Sequence, residues 1–284
     1  MHIRIMTVED IPAGLRLNAI SGWNQTAADW RCFMRQSPGG CFVAEADGKV
    51  VGTATTITYE SRFAWIGMVL VDPEFRKMGI GTQLLRKTVE HLDRIGVPTM
   101  KLDATPLGKP LYAKLGFVTE YEIERWILNR PRQTHTNKPQ PHLPRASPTE
   151  LARISELDRE RFGADRSFLL RSLSERSPEF TIVTQEPGPP PSYAFGRQGL
   201  FADHLGPWSA DSHAAAEEIL QAFLHRSSRE TVIVDSMKSN SMAIELLAAH
   251  GFSCARPLTR MVRGPNPHPG RPDSLCAILG PEFG

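Results

Sequence analysis

Apolar residues recur along the first 130 residues of the chain with two different periods. Alternating or continuous apolar runs predict strands at 2–6, 41–45, 50–57, 63–71, 99–104, 117–119 and 123–128. A spacing of three or four residues predicts helices at 11–19, 26–34, 81–95 and 110–115. Strands and helices therefore alternate, and the predicted fold class is α/β with a mixed sheet.

The second half of the sequence repeats this order in a weaker form. Apolar patterns predict helices at 151–162, 214–225 and 242–250, and strands at 180–184, 192–197, 200–205 and 231–235. Residues 101–117 and 233–252 share a strand, a short helix and a closing Gly-Phe pair, but Leu247 stands where Tyr112 stands in the first copy. We therefore predict two related domains, 1–130 and 149–284. Chance similarity between two α/β domains is the alternative.

A change of composition separates the two halves. Residues 131–148 contain five prolines among polar residues and have almost no apolar side chains. Such a composition is typical of an extended linker, because it offers nothing to bury and disfavours helices.

The stretch 68–85 joins a buried strand to a helix through a loop that contains Gly79 and Gly81. The first backbone N–H groups of a helix lack partners within the helix, and the helix dipole makes this end positive. Glycines leave those groups accessible, and Arg76 and Lys77 add positive charge. The loop is predicted to bind a phosphate or pyrophosphate, and a tight turn without a ligand is the alternative.

Two motifs give these residues a family context. The spacing Val-x-Pro-x-x-Arg-x-x-Gly-x-Gly, from Val71 to Gly81, resembles the acyl-CoA signature of GNAT-type N-acetyltransferases. Tyr-x-x-x-Gly-Phe, from Tyr112 to Phe117, resembles a second GNAT motif at the expected distance. The tandem arrangement resembles a bacterial GNAT subgroup with a degenerate C-terminal half, and this resemblance covers most of the chain.

The resemblance implies a site for acetyl-CoA, or another acyl-CoA, as co-substrate. Backbone amides of the loop would hold the pyrophosphate, and the strand before it would follow the pantetheine arm, with an N–H of Leu70 or Val71 facing the acetyl oxygen. Thr105 stands where many members have an asparagine that contacts CoA. Arg76 would either bind the phosphates or brace the loop. The implied cofactor residues are Val69, Leu70, Val71, Arg76, Lys77, Met78, Gly79, Ile80, Gly81, Thr82 and Thr105.

Tyr112 is the candidate general acid. A phenol with a pKa of about 10 remains protonated near neutrality and can give its proton to a departing CoA thiolate. A buried core tyrosine is the alternative. The general base is left open among Asp103, Glu60, Asp72 and a water molecule, and Asp103 would either line the cleft or cap the turn after its strand.

Two other segments give predictions about the binding of the acceptor substrate and about the binding of CoA by the second half. Trp23, Asn24 and Gln25 form either a capping turn or, by analogy with GNAT proteins, a loop that contacts the substrate. In the second half, residues 205–211 take the place of the glycine loop but contain one glycine and no basic pair. This half is therefore predicted not to bind CoA.

Composition narrows the remaining classes. A hydrophobic content of 40%, a charged content of 23% and a formal charge of +2 indicate a globular protein without a nucleic-acid or membrane surface. The four cysteines include no C-x-x-C pair, so neither a metal site nor a disulfide framework is predicted. The sequence lacks the features of a signal peptide and has no apolar run long enough for a membrane helix, and a cytoplasmic location is expected.

These observations favour an acyl-CoA-dependent N-acyltransferase that acetylates a primary amine of a small molecule by direct attack. The alternative is a protein that binds acyl-CoA or another small ligand as a sensor without turnover. The expected partner is the small-molecule amine, and a monomer or a homodimer is compatible with the sequence.

Overall fold

The computed structural model describes residues 1–131, 146–184 and 191–284, which form two compact units. Neither unit is one continuous stretch of chain. The first comprises Met1–Glu120, Arg260–Pro267 and Phe283, and the second comprises Tyr121–Thr259, His268–Glu282 and Gly284. The chain therefore returns to the first unit after it has formed most of the second.

The first unit is a mixed sheet with helices. Its elements are β1 (His2–Ile5), α1 (Ile11–Ser21), α2 (Ala27–Gln36), β2 (Phe42–Ala46), β3 (Lys49–Tyr59), β4 (Phe63–Val71), α3 (Ile80–Arg94), β5 (Met100–Ala104) and α4 (Lys109–Ala113). Strands β1 to β4 pair antiparallel in sequence order, and β4 pairs parallel with β5. The strand beside β5 is β11 (Ser253–Arg263), whose last residues belong to this unit.

The second unit repeats this plan. Its elements are β6 (Val118–Asn129), which begins in the first unit, α5 (Pro148–Phe162), α6 (Ser167–Arg176), β7 (Ile182–Val183), β8 (Tyr193–Gln198), β9 (Asp203–Ser209), α7 (His213–Arg226), β10 (Thr231–Met237), α8 (Ser241–Ala249) and the first part of β11. The order across its sheet is β6-β10-β9-β8-β7, and β9 and β10 are parallel. Strand, helix, strand and short helix follow one another here as they do from β4 to α4.

Helix α3 shows why the first unit folds as it does. Leu84, Leu85, Thr88 and Leu92 recur at helical spacing and are buried, so one face of the helix packs on the sheet. The helix ends just before Gly96, whose φ of 73° is the left-handed conformation that terminates helices. This packing fixes the N-terminal end of α3, from which the glycine loop is built.

The predicted α/β fold with a mixed sheet and two tandem domains is confirmed. Three elements differ from the prediction. The strands expected at 117–119 and 123–128 are one strand, β6, while α6 and β11 were not predicted. The polar residues 120–122 resembled a break because the sequence does not show which face of a strand is covered. Strand β11 was missed because Pro257 and three arginines interrupt its apolar residues.

The domain limits predicted from the sequence, 1–130 and 149–284, stay a prediction. The two compact units of the structure divide the chain at other positions. Residues 121–130 lie in the second unit, and Arg260–Pro267 lie in the first. The predicted linker, 131–148, falls mostly on residues outside the described ranges, and α5 already begins at Pro148 with Ser147 as its N-cap.

Candidate active site

Strand β4 carries a bulge shortly before the glycine loop. Thr53 of β3 faces Leu70 and Thr55 faces Gly67, so β4 has one more residue than β3 over this interval. Met68 lies at the bulge with a φ of 52°, and its carbonyl accepts a 2.8 Å hydrogen bond from the Thr53 hydroxyl. A bulge re-aims the strand and disrupts its ladder locally. Here it alters the direction of residues 69–71, which are the predicted contacts of the pantetheine arm.

Strands β4 and β5 pair only at their beginnings. The registered pairs are Ala64 with Met100 and Trp65 with Lys101, and none follows Trp65 along the described strands. The backbone of β4 beyond that point therefore has no ladder partner on its β5 side. An amide-rich ligand can add to such an edge as an extra strand.

The glycine loop presents a run of available backbone donors. The N–H groups of residues 77–82 have no acceptor within the described part of the chain. Gly79 caps α3 with a φ of 78°, and Lys77 also has a positive φ, 64°. A Cβ added at Gly81 would lie 3.6 Å from Val71 and 3.8 Å from Leu111, so the protein itself leaves room there. The loop fits an anion that approaches the backbone closely.

Two arginines form hydrogen bonds with the residues that lead from β4 into this loop. Arg76 Nε donates to the carbonyl of Val71 at 3.2 Å, which corresponds to the bracing role considered for this residue. Asp72 accepts from the N–H of Glu74 and from Arg16 Nη1 of α1, at 3.2 and 2.5 Å. The bond from Arg16 lowers the pKa of Asp72, with Arg76 adding a smaller effect. The carboxylate therefore stays ionised and fixes the turn that leads into the loop.

Tyr112 lies on α4, and its neighbour Leu111 is close to the glycine loop at Gly81. The Tyr112 hydroxyl makes no hydrogen bond with any residue that the structure describes. The ring packs edge-on against Phe117 with 6.2 Å between the ring centres, and it covers Gly108, where an added Cβ would lie 2.8 Å from Tyr112 Cε2. Burial raises the pKa of Tyr112 to about 12. The phenol is therefore a protonated donor whose ring is held from two sides.

Thr105 has a local role between β5 and α4. Its carbonyl accepts from the N–H groups of Gly108 and Lys109, and its hydroxyl lies 3.3 Å from the N–H of Gly108. The hydroxyl caps this turn as an acceptor, and its own hydrogen is available to a ligand. The predicted contact with CoA stays a prediction.

Asp103 is bound by an arginine from the far end of the chain. Arg260 Nε and Nη2 of β11 each donate to one carboxylate oxygen at 2.8 Å, and neither side chain is more than 4% exposed. The Arg260 guanidinium also covers the Trp65 ring at 4.4 Å from its centre. This pairing engages both oxygens of Asp103, and the turn cap and the substrate contact considered for this residue stay predictions.

The turn of Trp23, Asn24 and Gln25 is joined to α1. The N–H of Trp23 donates to the carbonyl of Asn18, and Asn18 Nδ2 donates to the carbonyl of Gln25 at 3.0 Å. Asn24 and Gln25 are buried, and Gln25 Oε1 has no hydrogen-bond partner in the described chain. These bonds are those of a turn between two helices. The contact with substrate remains a prediction for all three residues.

Models of two acetyltransferase families match the chain. The "Acetyltransferase (GNAT) family" matches residues 15–117, and the "Acetyltransferase (GNAT) domain" matches residues 154–277. The chain belongs to the GNAT family of acetyltransferases. Both halves of this GNAT protein are thus GNAT domains in tandem, which confirms the relationship inferred from the repeated pattern.

Individual relatives agree with this assignment. The N-acetyltransferase YitH of Bacillus subtilis, described as uncharacterized, is 29% identical over 159 residues, which are 56% of this chain and 55% of that protein. The holothin acyltransferase of a Pseudoalteromonas species is 23% identical over 92% of this chain and 87% of its own. A crystal structure of a putative acetyltransferase from Pyrococcus horikoshii covers 100% of this chain and 95% of its own, with a TM-score of 0.79 and 26% identity.

The second GNAT unit has no counterpart of the glycine loop. Its equivalent strand and helix, β9 and α7, are joined by residues 210–212 alone, whereas residues 72–79 join β4 and α3. The prediction placed the altered loop at 205–211, but residues 205–209 belong to β9. The prediction was wrong because Gly206 and Pro207 are residues typical of loops, whereas both lie within the buried strand β9.

Two residues of this GNAT site were not found from the sequence. Gly108 was not singled out, although only glycine leaves room for the Tyr112 ring. Arg260 was missed because its strand was missed, but it follows Gly251-Phe252 at the same distance at which Arg125 follows Gly116-Phe117, and this equivalence was available. In the described ranges, no cluster of His, Cys, Asp and Glu could hold a metal, and no helix is long and apolar enough to span a membrane.

Proposed function

We propose that the first unit transfers an acetyl group from acetyl-CoA to a primary amine of a small molecule. The observation that carries this proposal is the meeting of α4 with the glycine loop. Leu111 lies beside Gly81, and we infer that the next residue, Tyr112, directs its protonated hydroxyl toward the same cleft as the available backbone N–H groups. An anion site alone would serve many ligands, but an anion site next to a proton donor suits a thioester whose leaving group is a thiolate.

The residues of the first unit fit an acyl-CoA in three ways. The N–H groups of residues 77–82 would hold the pyrophosphate, together with the charges of Arg76 and Lys77. Residues 69–71 lie beyond the last pair with β5 and would bind the amides of the pantetheine arm. An N–H of Leu70 or Val71 would donate to the acetyl oxygen when negative charge develops on it.

The chemical step is a direct transfer. The amine nitrogen forms a bond to the thioester carbon, and the carbonyl oxygen becomes an oxyanion. The oxyanion then re-forms the carbonyl, the carbon–sulfur bond breaks, and the electron pair leaves with sulfur. The Tyr112 hydroxyl gives its proton to that thiolate. The attacking nitrogen releases a proton, which restores Tyr112 through solvent, so the products are an amide and CoA thiol.

Solvent is the proposed acceptor of the amine's proton. The three carboxylates considered as a base are each in an ion pair: Asp103 with Arg260, Asp72 with Arg16, and Glu60 with Arg62. An ion-paired carboxylate has its charge stabilised by its partner and is a weaker base for that reason. A water molecule can accept the proton without breaking any of these ion pairs.

The acceptor class rests on the relatives. One relative, which aligns with 92% of this chain and 87% of its own, is named a holothin acyltransferase, and this name guides our choice of a small-molecule acceptor. The buried amides of Asn24 and Gln25 would suit an acceptor with polar groups. We propose acetyl rather than a longer acyl group as the simplest donor, and a monomer or a homodimer as the active form.

The test is a thiol-release assay with acetyl-CoA and a panel of small primary amines, with peptides bearing a free α-amino group as a separate arm. Release of CoA thiol with a small amine, and its loss in Tyr112→Phe with acetyl-CoA binding retained, is the expected result. Binding of acetyl-CoA without turnover for every amine would support the sensor instead. Turnover with the peptides alone would refute the acceptor class.

A further inference from the structure

Thr53 and Thr55 are two buried threonines on one face of β3, opposite the bulge in β4. They lie two residues apart and project away from the apolar cluster that Ala54 forms with Ile80 and Leu84 of α3. Thr53 is 0% exposed and Thr55 is 1% exposed. Buried hydroxyls usually have a hydrogen-bond partner. The two threonines differ in this respect, and the difference lies at the bulge.

Thr53 binds the backbone of β4 through its hydroxyl. Thr53 Oγ1 donates to the carbonyl of Met68 at 2.8 Å, whereas Thr55 Oγ1 has no hydrogen-bond partner in the described ranges. Met68 is itself only 1% exposed, so the bond is shielded from solvent. Removing the Thr53 hydroxyl would therefore take a buried hydrogen bond from the bulge itself, and an unpaired buried carbonyl is costly.

The bulge is an unfavourable local conformation. Met68 has a φ of 52°, a left-handed backbone conformation that residues with a Cβ rarely adopt. The extra residue of β4 also interrupts the ladder with β3, between the pairs that Thr53 and Thr55 form. A regular strand would avoid both costs. Conformations of this kind persist where surrounding contacts hold them, and they concentrate at functional sites.

The bulge lies where β4 separates from β5. The last registered pair of these two strands involves Trp65, shortly before the bulge. Residues 69–71 follow the bulge and are the proposed contacts of the acetyl group and the pantetheine arm. The carbonyl just before this segment is bound by Thr53, and the carbonyl at its end is bound by Arg76. A one-residue slip of register would reverse the direction in which each backbone group of 69–71 points.

We propose that Thr53 is a positioning residue for acetyl transfer. Its hydroxyl holds the bulge at Met68, and the bulge keeps an N–H of residues 69–71 directed at the acetyl oxygen, where negative charge develops in the reaction. Thr53 acts through the β4 backbone and not by contact with the substrates. Its loss should therefore slow the chemical step more than it weakens the binding of CoA, whose pyrophosphate is assigned to residues 77–82. This role rests on the proposed function of the first unit.

Substitutions of the two threonines in the full chain test this role, with calorimetry and the thiol-release assay at a temperature at which every variant is folded. Thr53→Val keeps the shape of the side chain and removes the donor. We expect it to lower kcat by about 10- to 100-fold, the effect of a small misplacement of a reacting group, and to change the Kd of CoA by less than about threefold. Thr55→Val is the matched control, because it removes a buried hydroxyl that has no partner in the described ranges, and it should retain kcat. Thr53→Ser, which keeps a hydroxyl, should recover most of the rate.

Three results would overturn this role: equal kcat values for Thr53→Val and Thr55→Val, a Thr53→Ser variant as slow as Thr53→Val, or equal losses of kcat and of CoA affinity in Thr53→Val. If the wild type releases no thiol with any amine, the proposed function fails, and amide hydrogen exchange then decides whether Thr53 holds the bulge. Residues 69–71 should exchange faster in Thr53→Val than in Thr55→Val, relative to residues 63–66 of the same strand. Equal exchange in the two variants would refute the hold on the bulge.

Discussion

Arg260 and Asp103 form a buried bidentate ion pair although 157 residues separate them in sequence. Arg125 and Asp235 form the same pair in the second unit. Each arginine is the eighth residue after the phenylalanine of a Gly-Phe pair, so the arginines occupy equivalent positions of the two repeats. Each nevertheless binds the aspartate of the other repeat. The two GNAT domains have exchanged their last strands, and a buried ion pair holds each exchanged strand.

Loss of Arg260 should destabilise the protein strongly. Arg260→Met leaves the Asp103 charge buried without its partner, and we expect the free energy of unfolding to fall by about 3–5 kcal/mol. Urea denaturation measures this change. Arg263→Met, which removes a partly exposed pair with Asp93, should cost at most about 1 kcal/mol. Adding Asp103→Asn to Arg260→Met should recover part of the loss. Equal stability of Arg260→Met and the wild type would contradict this account.

Gly81→Ala should separate ligand binding from stability. The protein leaves room for the methyl group, and alanine is the better helix residue, so the variant should be more stable by up to about 1 kcal/mol. The methyl group would occupy space needed by the pyrophosphate, and acetyl-CoA should bind at least about tenfold more weakly. Calorimetry and thermal unfolding give the two values. Gly39→Ala, which also has room, is the control and should leave binding unchanged. Unchanged affinity in Gly81→Ala would refute the assignment of the loop.

Gly108→Ala should act through Tyr112. The backbone angles of Gly108, −82° and −29°, suit alanine, so the effect is the collision with the Tyr112 ring. Displacement of the phenol should lower kcat about 10- to 100-fold without a change in acetyl-CoA affinity. If Gly108 acts only through that ring, the double variant with Tyr112→Phe should be no slower than Tyr112→Phe alone. Additive losses would assign Gly108 a different role.

The pH dependence of kcat tests whether Tyr112 is the general acid. Burial raises the pKa of Tyr112 to about 12, and the protonated form is the active one, so the acid remains available as pH rises. We expect kcat to show no descending limb between pH 7 and 10. Tyr112→Phe should reduce kcat by roughly 10²- to 10⁴-fold. A loss of activity near pH 8 that is absent in Tyr112→Phe would contradict the raised pKa.

His204 should make stability depend on pH. Burial lowers its pKa in the folded protein, and Arg197 and Arg125 add to this effect while Asp235 opposes it. Below the usual histidine pKa of about 6.5, the unfolded chain therefore binds a proton that the folded state does not. Stability should fall from pH 7 to 5, by at most about 1.4 kcal/mol per pH unit for this group. His204→Gln should show a shallower fall, and His213→Gln, at an exposed position, should not. Parallel curves for all three proteins would exclude His204 as the cause.

The sequence identified the parts of the site that follow one another along the chain. The strand, the glycine loop and Tyr112 obey local rules of periodicity and helix termini, and the structure has each element where it was expected. The bulge at Met68 could not be predicted from the sequence, because a bulge depends on how two strands pair and not on one strand alone. The partner of Asp103 was equally hidden, since a charged residue in an interrupted apolar pattern resembles a surface loop until its strand is known.

The exchange of strands has a consequence for biosynthesis. Arg260–Pro267, which complete the first unit, leave the ribosome only after almost all of the second unit has been made. During that interval Asp103 has no Arg260, and β5 lacks its neighbour β11. Proteins with several domains usually fold from the N-terminus as each domain emerges. We expect this enzyme to depart from that course, because its first unit can be completed only when most of the second unit has been made.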